Sequence, residues 1–196
     1  QAGYANTTGA GNVAVGSYAL DANTTGTENS AFGKNALGAN TTASGNAAFG
    51  NFSANSNTTG TGNAAFGGAT PGVTNATLMS NTTGNYNTAI GIAASAQNTT
   101  ASNNTAVGYQ SLYANTTGHS NVAIGRSALV VNTTGVENTA LGYTAGASNT
   151  TSSYSTFIGK AAGYYSTGAQ STYVGEQSGY YITSGAKNTI LGRFNG

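Results

Sequence analysis

Ten side chains hold all the charged and imidazole chemistry in this 196-residue sequence: one histidine, four carboxylates and five cations. The histidine, His119, lies in Thr117-Gly118-His119-Ser120. A general base or metal ligand needs an orienting partner, and a lone imidazole in a glycine corner has none, so it reads as a solvated loop residue. The carboxylates are Asp21, Glu28, Glu137 and Glu176. Glycoside hydrolysis needs two carboxyl groups about 5 to 9.5 Å apart, and these four are scattered along the chain. Calcium-binding rolls use Asp-rich turns, and the glycine corners lack the lysine of a phosphate loop. With no cysteine, disulfides, thiolate metal sites and cysteine nucleophiles are excluded. The expectation is a non-enzyme with no catalytic residue, metal or cofactor.

The cations are Lys34, Arg126, Lys160, Lys187 and Arg193, giving a net charge of +1. Only 5% of residues are charged, against roughly a quarter in ordinary globular chains. That leaves no basic footprint for nucleic acid and no polybasic membrane anchor. No stretch is apolar enough to span a bilayer or to form the core of a signal peptide.

Two features could contact a ligand. Tyr164-Tyr165 and Tyr180-Tyr181 occupy matching places in consecutive repeat units and should stack as an aromatic ladder, a platform for sugar rings or a packing device. The second is an insertion at 68–80, which holds the only proline, Pro71, and the only methionine, Met79. Insertions in solenoids loop out on one face and often carry binding.

These residues are positioned by a repeat. Asn-x-Ala-Φ-Gly, with Φ a large apolar residue, recurs from NVAVG at 12–16 to NTALG at 138–142, then relaxes to STFIG, STYVG and NTILG. The closing glycines are 17 residues apart, except for 24 between Gly67 and Gly91 and 16 between Gly159 and Gly175. A second signature, Asn-Thr-Thr followed by a small residue, begins at Asn6 and recurs to Asn149. Its match to the N-glycosylation pattern is better explained as turn chemistry, with Asn and Thr side chains bonding nearby backbone.

A 17-residue unit is too short for the helix pairs of α-solenoids. Frequent glycine, β-branched residues and short apolar runs point to strands. The spacing predicts an all-β parallel β-solenoid, or β-roll, of about eleven coils over a single domain, 1–196, with aromatic-rich final coils at 155–196. Equivalent residues should stack about 4.8 Å apart, and the asparagines should form ladders. Alternation along the strand puts Φ on one face and Ala on the other. Burying the larger residue gives an interior column of Val15, Phe32, Phe49, Phe66, Ile90, Val107, Ile124, Leu141, Ile158, Val174 and Leu191. One such residue per coil is too thin a core to offset chain entropy. The outward row of Ala14, Ala31, Ala48, Ala65, Ala89, Ala106, Ala123 and Ala140 is therefore expected at an interface between identical rods, with Phe157 and Tyr173 taking over that outward position later. The chain also starts and stops mid-coil, as would a piece of a longer fibre or a subunit completing its neighbour's coils.

At Asn-x-Ala-Φ-Gly the chain resembles the head repeats of YadA-like trimeric autotransporter adhesins. The 17-residue unit with Asn-Thr-Thr-Gly resembles repeats of bacteriophage tail fibres, and NTILGRFNG at 188–196 looks like the exit from such a block. The resemblance implies a homotrimeric, extracellular or virion-borne fibre that presents a binding end to a cell-surface glycan or protein. Three rivals stand beside it: a self-assembling extracellular filament of solenoid subunits, an ice-binding solenoid with Thr ladders, and a polysaccharide depolymerase.

Overall fold

The structure, a computed structural model, describes residues 1–69 and 75–193. Each repeat contributes one three-residue strand: β1 (Val13–Val15), β2 (Ser30–Phe32), β3 (Ala47–Phe49), β4 (Ala64–Phe66), β5 (Thr88–Ile90), β6 (Thr105–Val107), β7 (Val122–Ile124), β8 (Thr139–Leu141), β9 (Thr156–Ile158), β10 (Thr172–Val174) and β11 (Thr189–Leu191). They form one parallel sheet in chain order. The register is fixed by the repeat, so Ala31 pairs with Ala48 and Phe32 with Phe49. It survives the longer unit, where Phe66 pairs with Ile90. The protein is thus a parallel β-solenoid of about ten turns. We number each coil by the strand that opens it.

The glycine after each strand turns the chain where nothing else fits. At Gly33, φ is +137° and a Cβ would lie 2.5 Å from the Gly50 carbonyl oxygen of the next coil. Between corners, backbone amides bond carbonyls one coil on, as in Leu37 N–H to Ser53 O (3.1 Å) and Thr24 N–H to Thr41 O (2.8 Å).

The two faces of the strand are the reverse of the expectation. Ala31, Ala48, Ala65, Ala89, Ala106, Ala123 and Ala140 are fully buried inside the coil, and Ala14 packs against that core from the first coil. They are core, not a surface row. The Φ file points outward: Val15, Phe66, Ile90, Ile124, Leu141 and Leu191 are exposed, and Phe32, Phe49, Val107, Ile158 and Val174 are half-buried. Phe32, Phe49 and Phe66 do share one file, with ring centroids 4.7 and 4.8 Å apart, but on the outside. The reason is spatial. The interior of a 17-residue coil is narrow, and a second wall already supplies its bulk through Leu20, Leu37, Leu78, Leu112 and Leu129, all buried. These leucines hold φ near +50°, a left-handed conformation costly for a side-chain-bearing residue and sustained here by packing. Opposite a leucine, only an alanine fits.

The C-terminal coils solve the same volume problem the other way round. The inward alanine becomes Phe157, Tyr173 and Ile190, and the leucine wall becomes Gly146, Gly163 and Gly179. A Cβ on Gly163 would come within 2.4 Å of the Phe157 ring. Phe157 and Tyr173, expected outside, are fully buried. Total volume is conserved while the large residue changes walls, the kind of swap that cores tolerate best.

Two buried asparagine ladders run beside the core. In the Asn-Thr-Thr file, from Asn23 to Asn132, each side-chain amide donates to the previous coil's side-chain carbonyl oxygen, as Asn40 Nδ2 does to Asn23 Oδ1 (2.8 Å), and also to the carbonyl three residues on in its own turn, Ala43 O (3.1 Å). In the file before the strands, the backbone amide joins in. Asn46 N–H donates to Asn29 Oδ1 (3.0 Å) while Asn46 Nδ2 reaches Gly60 O (2.9 Å). The first threonine of each corner adds a hydroxyl bond to the next coil, for example Thr82 Oγ1 to Thr99 O (3.0 Å).

Candidate binding and assembly surfaces

The first surface is the outer face of the sheet. Because alternation is strict, the Φ file and the strand-opening residues (Val13, Ser30, Ala47, Ala64, Thr88, Thr105, Val122, Thr139 and their successors) share it. Eleven strands at about 4.8 Å make a flat strip roughly 50 Å long and about 10 Å wide. It is apolar or hydroxylated throughout and carries no charge.

The second surface is the tyrosine cluster. The coil turns after the Leu/Gly wall, so the next two residues fall side by side on a separate face, and the one-coil repeat places Tyr180-Tyr181 over Tyr164-Tyr165. Tyr164 and Tyr180 stack nearly parallel, with centroids 5.1 Å apart and planes at 19°. Tyr165 stands at 77° to Tyr164 (4.7 Å), and Tyr181 at 79° to Tyr180 (4.8 Å). Perpendicular rings this close must meet edge to face. Since Tyr164 and Tyr180 turn their faces to each other, they offer edges sideways, and these edges rest on one face of Tyr165 and Tyr181. Tyr165 and Tyr181 are parallel within 14° with centroids 6.1 Å apart, one coil above the other. Both are partly open to solvent, at 43% and 61% exposure. The expected ladder is therefore double, an inner half-buried file and an outer exposed one. Burial and then the surrounding Tyr165, Tyr164 and Tyr181 phenols raise the Tyr180 pKa above the ordinary phenol value, because each opposes a negative charge there.

Of the insertion, Pro71 lies outside the described residues. Met79 is half-buried in the file that later holds Tyr113, Tyr164 and Tyr180. The insertion's return is tied down: Ala76 is buried, and Asn75 Nδ2 donates to the Tyr113 hydroxyl (2.6 Å) two coils on. Beneath it, coil 5 carries only small residues, Ala93, Ala94, Ser95 and Ala96, all buried. That match between a long coil and a small-residue neighbour was readable in the sequence but is recognisable only once the stacking is known.

The remaining charged groups form no site. His119 is exposed and touches only the Ser120 hydroxyl (3.3 Å). Glu28 precedes β2 and Glu137 precedes β8, six coils apart, far beyond any shared catalytic geometry. The Arg126 guanidinium sits between the Tyr109 and Tyr143 rings (5.8 and 5.7 Å), and Lys160 pairs with Glu176 at 3.2 Å on the surface. Among the described residues, no three His, Cys, Asp or Glu side chains cluster as metal ligands. A hollow of about 120 Å³ among Gly3, Asn6, Ala14, Leu20 and Asn23 is the uncovered mouth of the interior at coil 1. No helix is long and apolar enough to cross a membrane among the described residues.

No protein-family model, curated protein or solved structure matches the chain significantly.

Proposed function

We propose that the protein is a structural and adhesive segment of an extracellular or virion fibre, in which three copies of the rod pack through the outer sheet face and carry a binding surface to a cell. The observation that supports this is the uncharged strip in which Phe66, Ile90, Ile124 and Leu141 are exposed and Phe32 and Phe49 half-buried on a single chain. Contiguous apolar patches of several hundred Å² mark interaction sites. At roughly 50 Å by 10 Å, about 500 Å² per chain, the strip is on the scale of such patches. Identical partners suit a face whose files are identical from coil to coil. The number three accords with the resemblance of Asn-x-Ala-Φ-Gly to trimeric adhesin heads. The backbone and asparagine ladders would make such a rod a stiff spacer.

Light scattering tests this reading. The expected mass is three chains per particle, falling to one when Phe49 and Val107 are both replaced by Asp, with the far-UV circular dichroism retained. A wild-type chain that stays monomeric at all concentrations refutes the assembly. Open-ended filaments under the electron microscope would replace it with end-to-end growth.

A further inference from the structure

We infer that Tyr165 and Tyr181 form a preorganised stacking platform for a neutral glycan, aligned so that the sugar chain runs along the rod. Three features of the cluster lead there. The two outer rings are exposed, parallel and one coil apart, so they offer apolar ring surface at two successive positions along the rod. They are held from behind by the edges of Tyr164 and Tyr180, so little side-chain freedom is lost when a ligand lands. The same two files in the preceding coil carry Ala147 and Ser148, small residues that leave the approach clear.

The chemistry selects among flat ligands. A cation would be gripped by rings arranged around it, as in aromatic cages, but these two are parallel within 14°. A nucleobase also stacks on tyrosine, but nucleic-acid grooves pair their stacking rings with a cationic track for the backbone. Here no residue of the two files is charged in coils 8 to 10, and Thr167 and Thr183, two residues on in their coils, are exposed. An apolar face rimmed by hydroxyls suits a pyranose, which offers C–H groups on one side and hydroxyls at its edge. Tyr164 and Tyr180 act as positioning residues.

This inference rests on the adhesive half of the function proposed above, but it occupies a different face of the coil from the sheet. Mass and binding can therefore fail separately. The test is electrophoresis of the whole chain through native gels containing soluble neutral polysaccharides (β-glucan, galactomannan, arabinoxylan, dextran). Parallel titrations use chito- and cello-oligosaccharides, followed by tyrosine fluorescence, which no tryptophan obscures. We expect saturable binding to at least one neutral glycan. Tyr165→Ala and Tyr181→Ala should each weaken it by about tenfold or more, while the Phe variants stay within about threefold because stacking needs the ring, not the hydroxyl. Circular dichroism matching wild type certifies that the exposed substitutions leave the coil intact, and the Phe variants keep the comparison valid if an Ala variant misfolds. Absence of binding across the panel overturns the inference. So does binding that survives Tyr165→Ala/Tyr181→Ala, or that is confined to sulfated or carboxylated chains, single-stranded DNA or choline.

Discussion

The exchange of bulk between the two walls of the coil can be tested by moving it. Phe157 fills the interior of coil 9, and Gly146 of coil 8 yields to it: a Cβ there would lie 2.7 Å from the Phe157 ring and 3.0 Å from a Leu129 methyl. Phe157→Ala opens a cavity and should cost about 3–5 kcal/mol. Gly146→Leu forces a side chain against the ring and should cost about 1–3 kcal/mol. The backbone does not forbid that leucine, since Gly146 has φ +60° and Leu129, in the same file, has +48°. Combined, the two changes convert coil 8 to the packing of coil 7, where Ala123 faces Leu129. The new leucine then occupies the space the ring left. The double variant should be at least about 2 kcal/mol more stable than additive costs require, a coupling typical of residues sharing one cavity. Urea denaturation of wild type, both singles and the double, followed by circular dichroism, measures this. Additivity within about 0.5 kcal/mol would refute the shared interior. So would a Phe157→Ala cost under about 1 kcal/mol, the value for a ring on an outer surface.

Other consequences concern single positions. Ser95 stands in the leucine file at φ +48°, buried, with its hydroxyl unpartnered; Ser95→Ala should stabilise by about 1 kcal/mol, read as a raised denaturation midpoint, by removing an orphan hydroxyl. Asn46→Ala strips partners from the Gly60 carbonyl and the Asn63 amide, and should cost about 2–4 kcal/mol in the same assay. The raised Tyr180 pKa means the folded state holds that proton more tightly than the unfolded chain. Its contribution is therefore complete below pH 10 and is lost as pH rises from there through the folded pKa. Alkaline titration of phenolate absorbance should lose its latest-ionising component in Tyr180→Phe, and an unchanged curve would show that the cluster does not suppress ionisation.

The period, the in-register files, the glycine corners and the solvated state of His119 were legible because each follows from spacing or from residue type alone. The sense of the strand was not. Alternation says that Φ and Ala face opposite ways, but not which way is in, and size favours the wrong answer. A signal was available: the asparagine that opens each signature lies two residues before the alanine, hence on the same face. An asparagine such as Asn29, bonded to Asn12 below and Asn46 above, belongs inside, and it brings Ala31 in with it. The Leu-to-Gly change at 146, 163 and 179 accompanying Ala-to-Phe and Ala-to-Tyr at 157 and 173 was a second signal, since volumes that vary together share a space. The orientation of the tyrosine rings could not be read, because ring planes depend on neighbours one coil away.

The two asparagine ladders meet the C-terminal coils differently, and the difference explains where the repeat tolerates change. Links before the strands run from a backbone amide to a side-chain oxygen, so a serine can replace an asparagine. Ser155 N–H donates to Asn138 Oδ1 (3.0 Å), Ser171 N–H to Ser155 Oγ (3.3 Å) and Asn188 N–H to Ser171 Oγ (3.2 Å). In the Asn-Thr-Thr file, links run from side chain to side chain and need the full length of asparagine at every rung. Those links stop at Asn132, whose Oδ1 is left buried without a partner because Asn149 bonds within its own corner, Nδ2 to Ser152 O (3.2 Å) and Ser152 N–H to its Oδ1 (3.0 Å); one coil on, Ser166 replaces the asparagine and its hydroxyl is also unpartnered. Ser166 lies in the 16-residue coil, and the residue that coil lacks comes from this corner. The seven-residue insertion falls between a glycine corner and the leucine wall, again away from the strand. The strand side, held by backbone-anchored bonds, keeps register through all eleven strands. Changes in coil length are absorbed by the other sides, where losing a ladder rung leaves the stacking of the sheet, and with it the outer apolar strip, undisturbed.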